Sequence, residues 1–462
     1  MSTRAFRDGL PAASRSLRRM MPESARAIIT NSASMAGTTL VTAALGAAFW
    51  WLAARDFPRE AVGVAGAAVS AMTLIAAVAT LGLNTLLMGE LPNRAGRPGP
   101  FITAALLATA AAGMVLGVLL AVLLPLVAPD LAPLSANVGA ALLFATGVAL
   151  TAIGLVFDQA LIGLLRGNLQ LWRNTLFSSS KLILLVAAAV AFNIRSSMIL
   201  YGIWALGNLF SLAWIALSEI RRQRGWRGFA PDLGSLRGLR SSAFGHQVFN
   251  LALKTPMLAL PILVVSLLSA TANGSFYIAY MIAGFVYMIP IAFATVLYAV
   301  GSGDPLTRAA KFRLSFAITG STSLAANVVT FGAAGLILGI FGSRYAHEAA
   351  WTLRVLGLVS FPLIVKNHFV AICRVTGRIR ETAPFVWMAT MLELALAAGG
   401  ARVGGITGLS IGWGIALSLE ALLMGPTVYR TLFPPDAERL THDARGEVEL
   451  ATPALTSGSG SG

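Results

Sequence analysis

His246-Gln247-Val248-Phe249-Asn250-Leu251-Ala252-Leu253-Lys254-Thr255-Pro256 opens an apolar run that continues past Pro261 to about residue 268. His246, Asn250 and Lys254 recur every four residues, and Pro261 follows seven later. On an α-helix this spacing puts all four on one face. The run is long enough to cross a bilayer, so the spacing predicts a membrane span with a polar, cationic stripe. Lys254 lies ten residues past Phe244. At about 1.5 Å per residue that is roughly 15 Å deep, near the bilayer centre. A charge there costs about 3 kcal/mol or more on insertion scales, and normally faces a bundle interior or a water-filled cavity. The competing account is a structural lysine that snorkels or is paired inside the bundle.

The same composition extends along the chain. Its 462 residues are 56% hydrophobic and 11% charged, against about 25% charged in a soluble domain. Windows of some twenty apolar residues predict about twelve spans: 28–52, 61–88, 101–127, 137–161, 175–193, 197–218, 243–268, 275–300, 314–341, 351–373, 384–401 and 406–429. The first span is longer than a signal-peptide core and has no clear cleavage site, so it is expected to be retained. The formal net charge is +15. In a soluble protein that would suggest nucleic acid. Here the basic residues sit between spans, where they set topology and meet anionic lipid. Of 34 Lys and Arg, 25 fall in the N-terminal segment, the alternate loops that follow (Arg166 and Arg173 after span four, Arg374, Arg378 and Arg380 after span ten) and the C-terminal segment; five fall in the other loops and four within spans. The alternation implies an even span number with both termini cytoplasmic.

The segment Glu219–Ser242 is the longest connection and divides the chain into two halves of six spans. A faint repeat accompanies the division. Asn31-Ser32-Ala33-Ser34 opens span one where Asn250-Leu251-Ala252-Leu253 stands in span seven, and Arg166-Gly167 after span four resembles Arg374 to Gly377 after span ten. Duplicated halves are a transporter pattern. The outside loops are short, which leaves no room for the loop-borne carboxylates of membrane glycosyltransferases or polymerases. Cys373 is the only cysteine, and the four histidines have no metal-ligand spacing. No Walker loop or Ser-His-Asp arrangement is present, so no enzyme activity and no cofactor is expected.

Lys254, Asn250, His246, Lys366, Asn367 and Asn31 are the candidate substrate-binding residues. Lys366 follows Phe361-Pro362 and precedes Asn367-His368, eight residues from Arg374, or about 12 Å deep. Lys181 is expected to snorkel to the inner surface, and Arg354 to serve topology or packing near the outer end of span ten. Glu393 and Glu420 lie deep in spans eleven and twelve; with Asp158 they are candidate charge partners or ion-coupling groups. Glu90 and Asp158 also lie near inner ends, where they are interfacial.

Several stretches carry a resemblance. Gly46-Ala-Ala-Phe-Trp-Trp-Leu-Ala-Ala-Arg55-Asp-Phe-Pro and Leu81-Gly-Leu-Asn84 to Glu90-Leu-Pro92 come from the first two spans. Phe276-Tyr-Ile-Ala279, Ile289-Pro290, Leu297 to Ser302, Phe341-Gly342-Ser-Arg-Tyr345 and Leu353-Arg354-Val355-Leu356 come from the second half. From about Asn31 to Arg430 the chain resembles the polysaccharide or O-antigen flippases of the multidrug/oligosaccharidyl-lipid/polysaccharide exporter superfamily. The resemblance implies two six-helix lobes around a central cavity. It also implies a polyprenyl-diphosphate-linked sugar moved between leaflets by alternating access, with its diphosphate on Lys254 and then Lys366. Pro256, Pro261, Pro290 and Pro362 would supply bent helices for the motion. A second resemblance competes: Gly89-Glu-Leu-Pro-Asn93-Arg94-Ala-Gly96-Arg97 is similar to the loop motif of major facilitator carriers, with Asn93 where Asp is usual.

The expectation is an all-α polytopic membrane protein. It comprises a basic cytoplasmic tail (1–26), an N-lobe (27–218), a cytoplasmic inter-lobe loop (219–242), a C-lobe (243–430) and a disordered cytoplasmic tail (431–462). Its place is the bacterial inner membrane. Its partners are a lipid-linked oligosaccharide, membrane lipids and polysaccharide assembly enzymes, not nucleic acid. A small-solute carrier, a drug/cation antiporter and a non-transporting scaffold are the alternatives.

Overall fold

The computed structural model describes residues 23–93, 98–191, 194–222, 230–236, 240–300 and 305–434. The N-terminal arginines up to Arg19, loop residues such as Arg94 and Arg97, and the tail beyond residue 434 lie outside them. The described residues form thirteen α-helices and no strand. The first group is α1 (Glu23–Asp56), α2 (Arg59–Ala79), α3 (Leu83–Glu90), α4 (Pro98–Val127), α5 (Val138–Gly163), α6 (Gly167–Val186) and α7 (Ser197–Arg222). The second is α8 (Arg240–Leu267), α9 (Ala270–Val300), α10 (Pro305–Gly339), α11 (Ser343–Leu358), α12 (Ser360–Val375) and α13 (Ile379–Leu432). This is the polytopic membrane architecture expected from the apolar windows, with breaks that the windows hide.

Each break has a local cause. Span two divides into α2 and α3 because Leu81 and Gly82 both take positive φ (52° and 78°). Span ten divides at Val359 into α11 and α12, so Pro362 falls in the first turn of α12, where a missing N–H costs nothing. Spans eleven and twelve are the two arms of α13, folded back at Gly404 and Gly405, whose φ is 57°. The arms touch backbone to backbone: a Cβ on Gly400 would lie 2.1 Å from Gly408 O, and one on Gly412 would lie 2.0 Å from Leu396 O. Fold-back and close approach both need glycine.

The helices sort into two bundles. α4–α5, α1–α6 and α6–α7 pack within the first; α8–α13, α10–α11, α12–α13 and α9–α12 pack within the second. The bundles meet where α2 lies against α8 and α9. We call the side bearing Arg166, Arg222 and Arg374 the basic side. On the opposite side the bundles are closed together. Asn273 Nδ2 donates to Gly63 O at 2.7 Å, Asp130 accepts from Ala270 N at 2.6 Å, and Trp51 and Arg55 both donate to Ile340 O at 3.0 Å. Arg59 pairs with Glu348, and the Trp50 and Tyr277 rings meet at 4.6 Å. A Cβ on Gly63 would lie 1.8 Å from Ala270 O, so this seal is set by backbone contact.

α8 runs through the middle of the assembly with Pro256 and Pro261 inside it. Each proline leaves the carbonyl four residues back without its helical donor. Thr390 Oγ1 of α13 takes Ala252 O at 2.8 Å, and Tyr280 Oη of α9 takes Met257 O at 3.0 Å. The carbonyls freed by the two prolines are thus satisfied by neighbouring hydroxyls, as prolines in membrane helices require. Thr390→Val or Tyr280→Phe each orphans one carbonyl at depth. The expected loss is about 1–3 kcal/mol each, read as lowered thermal stability of the detergent-purified protein.

Candidate functional site

Lys254 stands fourteen residues into α8 and is solvent-exposed, although helices flank it on both sides. At about 100° per residue, Gln247 lies roughly 20° to one side of Lys254 and Asn250 roughly 40° to the other. Gln247 is buried and donates to Ala77 O of α2 at 2.6 Å. Asn250 Oδ1 accepts from Arg374 Nη2 of α12 at 2.9 Å. One flank of the stripe therefore grips the first bundle and the other grips α12 of the second. Lys254 stands between these two positions on the helix face, one turn to the basic side of Met257. Leu260 and Val264, further along α8, are buried in the core that seals the opposite side.

Two cations of this cleft lie close enough to act on each other. Among the described residues no carboxylate pairs with Lys254, and the charge acting on it is Arg374, of its own sign. Two cations close together in a membrane bundle repel, more strongly as the local dielectric falls. An anion arriving in the cleft would meet an ammonium and a guanidinium held by Asn250. Arg374 was read from sequence as one of the topology-setting arginines after span ten. Its spacing from Lys366 on the same helix carried no such signal, because its partner Asn250 lies 124 residues away in the chain.

The other sequence candidates are dispersed. Lys366 is buried in the second bundle, with Nζ 2.5 Å from Glu393 Oε1 and 2.8 Å from Glu420 Oε2. Trp413 Nε1 donates to Glu393 Oε2 at 2.6 Å. This network joins α12 to both arms of α13 and is separate from the Lys254 cleft. Asn367 donates to Leu363 O within its own helix at 2.8 Å. His368 is buried against Ser315 Oγ at 3.0 Å. Asn31 and His246 lie on α1 and α8, with their side chains outside the described residues.

Three readings of charge need correcting. Arg173 is not a loop arginine: α6 begins at Gly167, and Arg173 is buried, with Nη2 2.7 Å from Asp158 Oδ2. Asp158, which Asn174 also contacts at 3.2 Å, is thereby a partner inside the first bundle rather than an interfacial acid. Lys181 does not snorkel to the basic side. It is buried toward the opposite side, with Nζ 3.5 Å from the Trp204 ring centre, 4.3 Å from Phe177 and 5.4 Å from Phe49. Cation–π contact offsets about 2 kcal/mol when desolvated, less than the several kcal/mol that burial of an ammonium costs. Lys181→Met should therefore leave thermal stability unchanged or raise it. A drop of several degrees would show that the aromatic box needs the charge. Arg354 lies on the periphery, stacked on Trp351 at 4.7 Å and donating to Phe331 O at 2.9 Å.

No protein-family model matches the sequence, and no curated protein matches it by sequence. Solved structures do match in shape. The chain is similar to an inward-facing multidrug resistance MATE family transporter of the MOP superfamily, with TM-score 0.62 and 17% identity over 87% of this chain and 95% of the other. It is similar to the lipid II flippase MurJ in an inward closed conformation, with TM-score 0.64 and 12% identity over 94% of each chain. A MOP superfamily transporter from Pyrococcus furiosus, described as having a binding pocket of reverse polarity, matches with TM-score 0.59 and 14% identity over 88% of this chain and 96% of the other. At these identities the likeness is one of fold, and the fold is the one these transporters share.

Proposed function

We propose that this protein is a transporter that flips a polyprenyl-diphosphate-linked oligosaccharide across the bacterial inner membrane for surface polysaccharide export, by alternating access. The observation that carries the reading is Lys254: exposed at mid-span, unpaired with any described carboxylate, and beside a second cation in the cleft between bundles. A diphosphate carries the charge opposite to Lys254 and Arg374, and charge-assisted hydrogen bonds to ammonium and guanidinium are the strong ones. The sugar would cross the roughly 30 Å of hydrocarbon inside the cleft while the prenyl tail stays in lipid.

The arginine distribution supports a cytoplasmic basic side. The closed opposite side then makes this the state that loads from the cytoplasm. Outward opening would break the Arg59–Glu348 pair and the Asn273–Gly63 bond, while the proline bends of α8 let the bundles rock. We read the Lys366–Glu393–Glu420 network as a strut of the C-lobe outside the substrate path. The fold shared with a multidrug transporter keeps a drug antiporter as the second reading. A cationic drug, however, would meet two like charges at Lys254 and Arg374. Deletion of the protein should cause a lipid-linked oligosaccharide to accumulate in the membrane, identified by mass. Drug sensitivity without such accumulation would favour the second reading.

A further inference from the structure

The first bundle holds a cavity of about 480 Å³ on the basic side, away from the Lys254 cleft. It lies in the groove between α4 and α7, both of which pack on α5. Ile102 and Leu106 of α4, Phe157 and Leu161 of α5, and Ile215 of α7 give it apolar walls. All belong to the two or three turns of their helices nearest the basic side. Its depth is therefore that of a leaflet edge, within about 12 Å of the interface. Ala230 and Pro231 of the inter-bundle connection line one end, held there by Asp232 N donating to Pro100 O at 3.2 Å.

The rim is charged. Arg166 and Glu219 line the cavity and pair at 2.7 Å, and Arg222 reaches the same carboxylate at 3.7 Å. Two arginines thus face one glutamate. A guanidinium has five N–H donors, so pairing with Glu219 leaves Arg166 donors for a phosphate. An apolar slot at leaflet depth under an excess of guanidinium matches one acyl chain of an anionic phospholipid. The chain's own N-terminal segment fits poorly, because its six arginines would meet a rim of their own sign. The prenyl tail of a substrate held at Lys254 also fits poorly: α8 packs on α2 and α3, whereas the slot is built from α4, α5 and α7.

We infer that this cavity is a structural lipid site that seats one acyl chain of an anionic phospholipid from the basic-side leaflet, with its phosphate on Arg166 and Arg222. The inference does not depend on the transport reading. Native mass spectrometry of the full-length protein with phosphatidylglycerol or phosphatidylcholine tests it. The wild type should retain phosphatidylglycerol in about fivefold preference, Ala216→Trp should abolish that retained lipid by filling the slot, and R222Q should remove most of the preference. If the tryptophan variant fails to fold, Thr103→Phe fills the slot from the opposite wall. A photocrosslinker at position 216 identifies the occupant. A phospholipid adduct is expected; a crosslink to this chain's own N-terminal segment or to a prenyl lipid would overturn the site. Equal retention of both lipids by the wild type, or undiminished retention in a folded slot-filled variant, would also overturn it.

Discussion

Cells carrying Lys254→Ala should export less than about a tenth of the wild-type polymer at normal protein abundance, and Lys254→Arg should restore much of it. The abundance should hold because Lys254 is exposed and bonds to no described residue, and alanine is the best helix former. The loss falls on the ligand. Each hydrogen bond to a charged group contributes about 1.5–3 kcal/mol, so one lost ammonium weakens the bound diphosphate by about 10- to 150-fold. Arginine keeps the charge but spreads it over a planar fork, so partial recovery is expected. A scaffold without transport activity would tolerate Lys254→Ala fully. Polymer output beside immunodetected protein, measured in the same cells, separates the two.

Replacing Lys366 by methionine should lower stability by about 3–5 kcal/mol, the cost of breaking a buried ion pair by removing one partner. Glu393 and Glu420 would then face each other with no cation between them, each about 1% exposed. The triple variant Lys366→Met, Glu393→Gln, Glu420→Gln should recover most of the loss, because neutral groups of similar shape need no ammonium. Thermal unfolding in detergent, followed by fluorescence-detected gel filtration, reads both changes. If Lys366 instead met substrate, its methionine variant would be stable and defective only in binding.

Span positions were legible in the sequence because hydrocarbon-length apolar windows leave few alternatives, and Gly404-Gly405 marks the fold-back of α13 inside a continuous helical pattern. The stripe His246–Asn250–Lys254 was legible because helical spacing alone fixes a shared face; the grip of Gln247 beside it was not. What that face meets was not. Lys254 and Lys366 look alike as lysines near prolines in apolar runs. They differ only because Glu393 and Glu420, 27 and 54 residues further on, fold back onto Lys366. Arg173 was misread for a related reason: its depth follows from α6 starting at Gly167, just after the positive φ of Leu165, eight residues earlier than hydropathy suggests. Lys181 was misplaced because an aromatic box assembled from α1, α6 and α7 leaves no local spacing to read.

Direct binding to the purified protein puts the claim for the cleft to the sharpest test. Affinity for a polyprenyl-diphosphate oligosaccharide should be at least tenfold weaker in Lys254→Ala than in the wild type, while the neutral polyprenol binds both equally. Equal affinity of the two proteins for the diphosphate, at equal thermal stability, would contradict the assignment of this cleft to an anionic headgroup.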